Sequence, residues 1–453
     1  MASTLALFGG APVVGPDAHR RWPILGDADR RGVLGVLDRG VLSGMYAPES
    51  AALEREFAAF VGARSAQLTH SGTSALEVAL AAVGVGEGDE VIVPAYSFVA
   101  TPLAVVQQGA IPIFVDVDPE HGNIDPRAIE AALTPRTRAI MPVHVHGCPC
   151  DLDEVLALAR KHELVVIEDA AQAHGATYGG KPVGALGAAG AFSLQSSTNL
   201  SGGEGGIFVT NDPRLAEAAR RVRSFGQDIV DADADRYDPR RPLDGHRAVE
   251  STRIGGMYRG NEMMAAVVRA QLGRLPELTQ RCQVNAETLR RGLAGLPGVS
   301  MPSVPQGRTS VHHKVRVHFD AEAAGLSSTP RALRDAMLRA LTAEGLEVVL
   351  WQTEPLPAQP VFRGSGFGRG FPWTSGDPAA ARANYDPARY PGTTRLLERS
   401  IVVFSQSCPL IAQDPALVDR YVEAFAKVWE HRLELMRRID HAAEGTGRER
   451  RAP

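Results

Sequence analysis

The chain has 453 residues, a formal net charge of -4, 44% hydrophobic and 22% charged side chains. This is the balance of an ordinary globular protein with room for one large core and a smaller one. It excludes the strongly basic face that a nucleic-acid partner favours.

Taken in chain order, the opening MASTLALFGG carries neither a basic region nor a cleavage site, so no secretory signal is expected. A lead-in with one helix, 27–39, precedes an amphipathic helix at 49–61 whose Leu53, Phe57 and Phe60 face inward. Strands at 66–69, 90–93, 111–117, 139–145 and 164–168 then alternate with helices at 73–85, 98–107, 126–133 and 152–162. That beat predicts an α/β fold with a mostly parallel sheet covered by helices on both faces. The longest apolar stretch, 91–106, is interrupted by Pro94, Ser97, Thr101 and Pro102, so it reads as strand, turn and helix and no membrane span is expected.

The segment AFSLQSSTNLSGGEGGIFVT, 191–210, reads as two buried strands (191–194 and 207–210) around a polar turn and a glycine-rich loop. A helix at 213–225 leads into a polar stretch, 228–250, whose Asp231/Asp233/Asp235 run departs from a calcium loop at Arg236 and Pro242. Helices at 261–275 and 277–293 precede a smaller α/β unit with strands at 315–319 and 347–350 and a helix at 330–344. A long helix, 415–438, and a charged tail follow. The expected organisation is a large domain over 1–280, a small C-terminal domain over 281–440, and a disordered tail over 441–453.

The four cysteines read as reduced thiols, and Cys148 and Cys150 in HGCPCD stand too close for an easy disulfide or a zinc knuckle. A cytoplasmic protein without a bound metal is the expectation. Ser71-Gly72-Thr73 ends the first strand and opens a helix, where free backbone amides and hydroxyls make a seat for a phosphate. The strand VVIED is apolar until Glu168 and Asp169, and ligands of open α/β sheets collect at such carboxyl ends.

The order of these motifs, SGT, PAYSFVAT, EDAAQAHGA, FSLQ with GEGG, and YRGNE, resembles the sugar aminotransferases of the DegT/StrS type. Those are fold-type I pyridoxal phosphate (PLP) enzymes, with a large sheet domain and a smaller C-terminal α/β domain. The resemblance runs from LALFGG to Lys427-Val428 and implies roles residue by residue. Ser71, Gly72, Thr73 and Ser193 would hold the cofactor phosphate, and Phe98 would stack on the pyridine ring. Asp169 would pair with the ring nitrogen and keep it protonated. Gln172 would lie near the ring hydroxyl, with His174 following on the same turn. Arg259 and Asn261 fall where relatives reach across a homodimer interface, although Met257 stands where many have the contacting Asn.

The chain departs from the family at its centre. The family's Schiff-base lysine stands six residues before the Glu of GEGG, and here that residue is Thr198. A threonine hydroxyl neither forms an imine nor readily takes a proton, so both jobs of the lysine lapse. Only Lys161, Lys181, Lys314 and Lys427 remain, all other basic residues being arginine. Lys314, in HHKVRVHF beside His312 and His313, is the one candidate for a relocated catalytic amine, against a strand lysine whose stem snorkels to water.

Three functions are compatible with this pattern. One is an enzyme acting on a keto-sugar or keto-cyclitol with PLP, or its amine form PMP, held non-covalently. The dehydrating branch of the family that works through PMP has His at the lysine position, which Thr198 does not match. The others are a catalytically silent homologue that binds ligand or pairs with an active paralogue, and an ordinary aminotransferase carrying a laboratory substitution. A scaffold or DNA-binding role without a ligand belongs to another class, and an empty site without affinity for PLP or sugar would favour it.

Overall fold

The computed structural model describes residues 4–44, 47–227, 250–362, 386–404 and 407–439. The polar stretch after 227, up to 249, and the expected disordered tail lie outside the described residues. After helix α1 (Asp27–Arg39) and helix α2 (Pro48–Val61), the chain alternates. In order come β1 (Ser65–Thr69), α3 (Gly72–Ala82), β2 (Glu90–Pro94), α4 (Ala100–Gln107), β3 (Ile111–Val115), α5 (Pro126–Ala132), β4 (Thr137–Ile140), α6 (Leu152–Lys161) and β5 (Val165–Asp169). A small hairpin, β6 (Thr177–Tyr178) and β7 (Lys181–Pro182), precedes β8 (Ala189–Ser193), β9 (Gly206–Thr210) and α7 (Pro213–Val222).

These strands form a seven-stranded sheet in the order β1-β9-β8-β5-β4-β2-β3. It is parallel except where β9 runs against β1 and β8. Val91, Val93, Ile167, Phe192 and Phe208 are fully buried, as strands covered on both faces require. Each such side chain removed from water stabilises the sheet by about 1.5–3 kcal/mol. The register brings the chemistry to one edge. Gly206 stands opposite both Thr69 and Ser193, and Asp169 stands opposite Ala191.

Helix α8 (Glu262–Leu272) packs on α1 and α2, and α9 (Leu275–Leu293) leads to the second sheet. That sheet collects β10 (Val299–Ser300), β12 (Val315–Phe319), β13 (Val348–Val349) and β14 (Ser400–Val403), all antiparallel, in the order β10-β12-β14-β13. Helices α10 (Pro330–Ala343), α11 (Pro391–Glu398) and α12 (Pro415–Glu430) complete this part. β11 (Arg308–Thr309) pairs with β6 and joins the β6–β7 hairpin in a separate three-stranded sheet, which ties the region before β12 to that hairpin. Among the described residues no helix is long and apolar enough to cross a membrane.

The sequence reading did not anticipate β14, α11 or the β6–β7 hairpin, and three of the expected elements end or begin elsewhere for a visible local reason. The expected helix at 98–107 starts at Ala100, which leaves Phe98 in the turn ahead of it. The strand at 139–145 stops at Ile140, since Pro142 has no N–H for the ladder, and the chain turns through Val145–Gly147 with His146 left-handed. The long terminal helix breaks at His431, whose ring Nδ1 approaches the Lys427 carbonyl at 2.9 Å.

Candidate active site

The site begins where β1 gives way to α3. Ser71 caps the helix: its Oγ accepts from Ser74 N at 3.0 Å, while Ser74 Oγ donates back to the Ser71 carbonyl at 2.8 Å. With the cap made by Ser71 itself, the Gly72 and Thr73 amides remain at the positive end of the helix dipole. Two glycines make this approach possible. A Cβ on Gly72 would stand 2.8 Å from Ser193 Cβ, and one on Gly206, the last glycine of GEGG, 2.2 Å from the Ser71 carbonyl oxygen. The loop motif therefore serves to press β9 and Ser193 against the start of α3.

Asp169 ends β5 and is buried. Its Oδ2 accepts from Thr101 Oγ1 at 2.7 Å and its Oδ1 from the Ala171 amide at 3.1 Å, and Thr101 in turn lies 3.0 Å from Ser97 Oγ. Burial raises its pKa above the ordinary carboxylate value, with Thr101 and the amide opposing. No described cation forms a salt bridge with it. An anion held in this way, with acceptor capacity to spare, fits a protonated ring nitrogen.

Phe98 is 56% exposed, so it is not the core phenylalanine that its sequence surroundings also allow; it offers a free aromatic face. Gln172 turns its side-chain oxygen to the His146 amide at 2.8 Å. His174 is fully buried with its ring centroid 5.4 Å from that of Phe192, and burial brings its pKa down to about 4, with the Ser193 backbone carbonyl as acceptor opposing. It is a neutral ring at physiological pH.

Thr198 is buried, and its hydroxyl is within reach of three carbonyls, Gln195 and Leu200 at 2.8 Å and Ser193 at 3.2 Å. Its own carbonyl accepts from Trp22 Nε1 at 2.9 Å. The side chain thus turns into its own loop and closes it.

Arg259 and Asn261 lie apart from this cluster. The backbone of Arg259 bridges to Thr69, two residues from Ser71, and its guanidinium donates to Ser224 Oγ at 3.2 Å. Asn261 caps α8 by accepting from the Met264 amide at 3.0 Å. Lys314 does not snorkel: it is 6% exposed, its Nζ 5.8 Å from the centre of the Trp351 ring. Asn199, next to Thr198, donates to the Val311 carbonyl at 2.8 Å and holds the Lys314 segment beside the Thr198 loop.

Sequence reading missed Thr101, His146 and Trp351. Thr101 carried a weak signal, three residues beyond Phe98 and at the start of the helix that follows it. His146 and Trp351 gave none, because their roles come from chain segments far apart.

A mostly parallel sheet with these groups at one edge defines a fold-type I aminotransferase. The chain belongs to the DegT/DnrJ/EryC1/StrS aminotransferase family, whose model matches residues 23–376. It is 38% identical over 419 residues to Protein MosB of Rhizobium meliloti, covering 92% of this chain and 79% of that protein. It is 36% identical to the L-glutamine:scyllo-inosose aminotransferase of Streptomyces griseus, over 96% of this chain and all of the relative. Among solved structures, S. venezuelae DesV in complex with a ketimine intermediate matches with a TM-score of 0.72 at 32% identity, over 89% of this chain and 94% of the other.

Proposed function

We propose that this chain acts on a keto-sugar or keto-cyclitol in secondary-metabolite, aminoglycoside-like biosynthesis, with PLP or PMP held non-covalently. The observation that carries this reading is the pairing of a retained anion with a lost anchor. Among the described residues Asp169 is buried without a cation partner, while Thr198 is bonded into its own turn. The substrate class is argued from the relatives, one of which is named for scyllo-inosose and another for a dTDP-amino-sugar.

When bound, PLP or PMP supplies an electron sink and the carbonyl or amine of an amino transfer. The chain's own residues then have separable tasks. The amides of Gly72 and Thr73, with Ser193, would bind the phosphate at the start of α3. Asp169, kept in place by Thr101, would hold the proton on the ring nitrogen. Phe98 would cover one face of the ring. Gln172, itself fixed by the His146 amide, would orient the ring hydroxyl. Thr198, its hydroxyl spent on backbone carbonyls, shuttles no proton, and retention of the cofactor would rest on these non-covalent contacts.

Absorbance spectra with added PLP or PMP, followed by dialysis, test this. Both should bind and both should wash out; a protein that binds neither contradicts the reading. The active form is proposed to be a homodimer with Arg259 and Asn261 at the interface. Exposed Phe225, Ile254 and Met257 in the neighbouring loops support this, and a monomeric mass in sedimentation at micromolar concentration would exclude it.

A further inference from the structure

One cavity of about 50 Å³, between the large sheet's carboxyl edge and β12, contains an unbalanced charge. His121, His146, Cys148, Ser310, His312, Lys314 and Arg316 contribute to its lining. Lys314, in the bend just ahead of β12, and Arg316, on β12 itself, both line this cavity. Both are 6% exposed, and no described carboxylate pairs with either. His121, on the same lining, is engaged by Asp118, whose carboxylate lies 2.6 Å from its Nδ1.

The guanidinium of Arg316 is fixed by Ser400 Oγ at 2.6 Å, by Tyr96 OH, and by His146 Nε2 at 3.4 Å. Among the described residues the Lys314 ammonium has the face of Trp351 and no hydrogen-bond partner, and Trp351 is packed edge-on against both Tyr96 and His146. Burial lowers the Lys314 pKa to about 8, which leaves it mostly charged at neutral pH. His146 stays neutral, held well below its ordinary range by burial and by the two cations. Two of the lining residues, His146 (φ 56) and His312 (φ 45), hold left-handed backbone that bulky residues avoid, and such strain collects at ligand sites. Two buried cations without an anion are costly, and the cost is removed by an anionic ligand.

We infer that Lys314, backed by the fixed charge of Arg316, receives the α-carboxylate of an amino-acid donor. The assignment rests on the proposed amino-transfer function, because such a donor brings a carboxylate to the same cleft. The cavity shares a wall with the cofactor site: the backbone N–H of His146 donates to Gln172, and Gly147 packs against Gln172 and the His313 amide. A space of this size admits a few water-sized groups, which suits a carboxylate. Lys314 is on this account a binding residue and does not replace the missing anchor.

Calorimetry on the full chain, with and without PMP, tests this using L-glutamine, its methyl ester and inorganic phosphate as probes. Glutamine should bind at least tenfold more tightly than the ester, and Lys314→Met should remove that preference while PMP affinity is unchanged. Arg316→Gln, as a second variant, should weaken glutamine in the same direction. Equal binding of glutamine and ester, binding of phosphate in place of glutamine, or a folded Lys314→Met protein with unaltered glutamine affinity would overturn the inference. Failure of PMP to bind would sink the proposed function, and the glutamine–ester contrast on the cofactor-free protein would still decide the receptor.

Discussion

Glu168 and Asp169 are neighbours on one strand, both buried, and they show opposite treatments of a carboxylate. Glu168 accepts from His144 Nε2 at 3.0 Å and from the amides of Gly184, Leu186 and Gly187 at 2.6–2.7 Å. Burial would raise its pKa, but these donors together hold it below the ordinary carboxylate value. Asp169 has one hydroxyl and one amide, and burial prevails. The first carboxylate is complete within the fold, whereas the second is left for a cation from outside. Thr198 belongs with Glu168 in this respect, since its hydroxyl finds all its partners in its own turn. The cofactor's electrostatic contact is therefore kept open where the covalent one is closed.

The largest expected effect breaks the completed member. Glu168→Ala leaves His144 and three amides without their acceptor and should destabilise the fold by about 3–5 kcal/mol, read from denaturant unfolding. Because the folded pKa of Glu168 is depressed, its stabilisation is present above the ordinary carboxylate pKa. It is lost as pH falls through the lower folded value, and the variant should lack that acid-side loss.

Asp169→Asn should do the reverse. It should weaken PMP by about 1.5–3 kcal/mol, the worth of a charge-assisted hydrogen bond, in equilibrium dialysis. Without cofactor it should be at least as stable as the parent. The raised folded pKa of Asp169 means that stability falls as pH rises from the ordinary carboxylate range through the raised value, and the amide has no such titration. A cofactor-free Asn variant that is less stable at neutral pH would show Asp169 to be a structural carboxylate like Glu168.

Thr198→Lys sharpens the comparison by reopening the closed contact. The spacing of the turn, GEGG and Asp169 matches the family, so a lysine there should form a borohydride-fixable adduct with PLP. Loss of the threonine hydroxyl's bond and overpacking should cost about 1–3 kcal/mol, seen in the melting temperature. A folded variant that binds PLP without forming an adduct would show that the pocket no longer directs position 198 at the cofactor.

Much of this was legible because each piece has a local cause. The alternation of strand and helix announced the sheet, Ser71-Gly72-Thr73 announced a helix start, and GEGG announced a loop between two strands, though not the close passage of Gly206 against Ser71. The remainder depends on distant segments meeting. Thr101 reaches Asp169 across 68 positions, and Lys314 is buried only because Trp351 and the 145–147 turn close over it. The snorkelling alternative for Lys314 was reasonable for an isolated strand lysine, and it failed because the large sheet's edge stands where water would be. The early end of β4 at Ile140 was written in Pro142, but the left-handed His146 beyond it was not.

The central claim is that this family member holds its cofactor without a covalent bond. Borohydride reduction of the unaltered protein saturated with PLP, followed by peptide mass spectrometry, tests it most directly. The account predicts bound PLP that leaves no pyridoxyl adduct on Lys161, Lys181, Lys314 or Lys427. A stoichiometric adduct on Lys314 would contradict it and make that residue the relocated anchor.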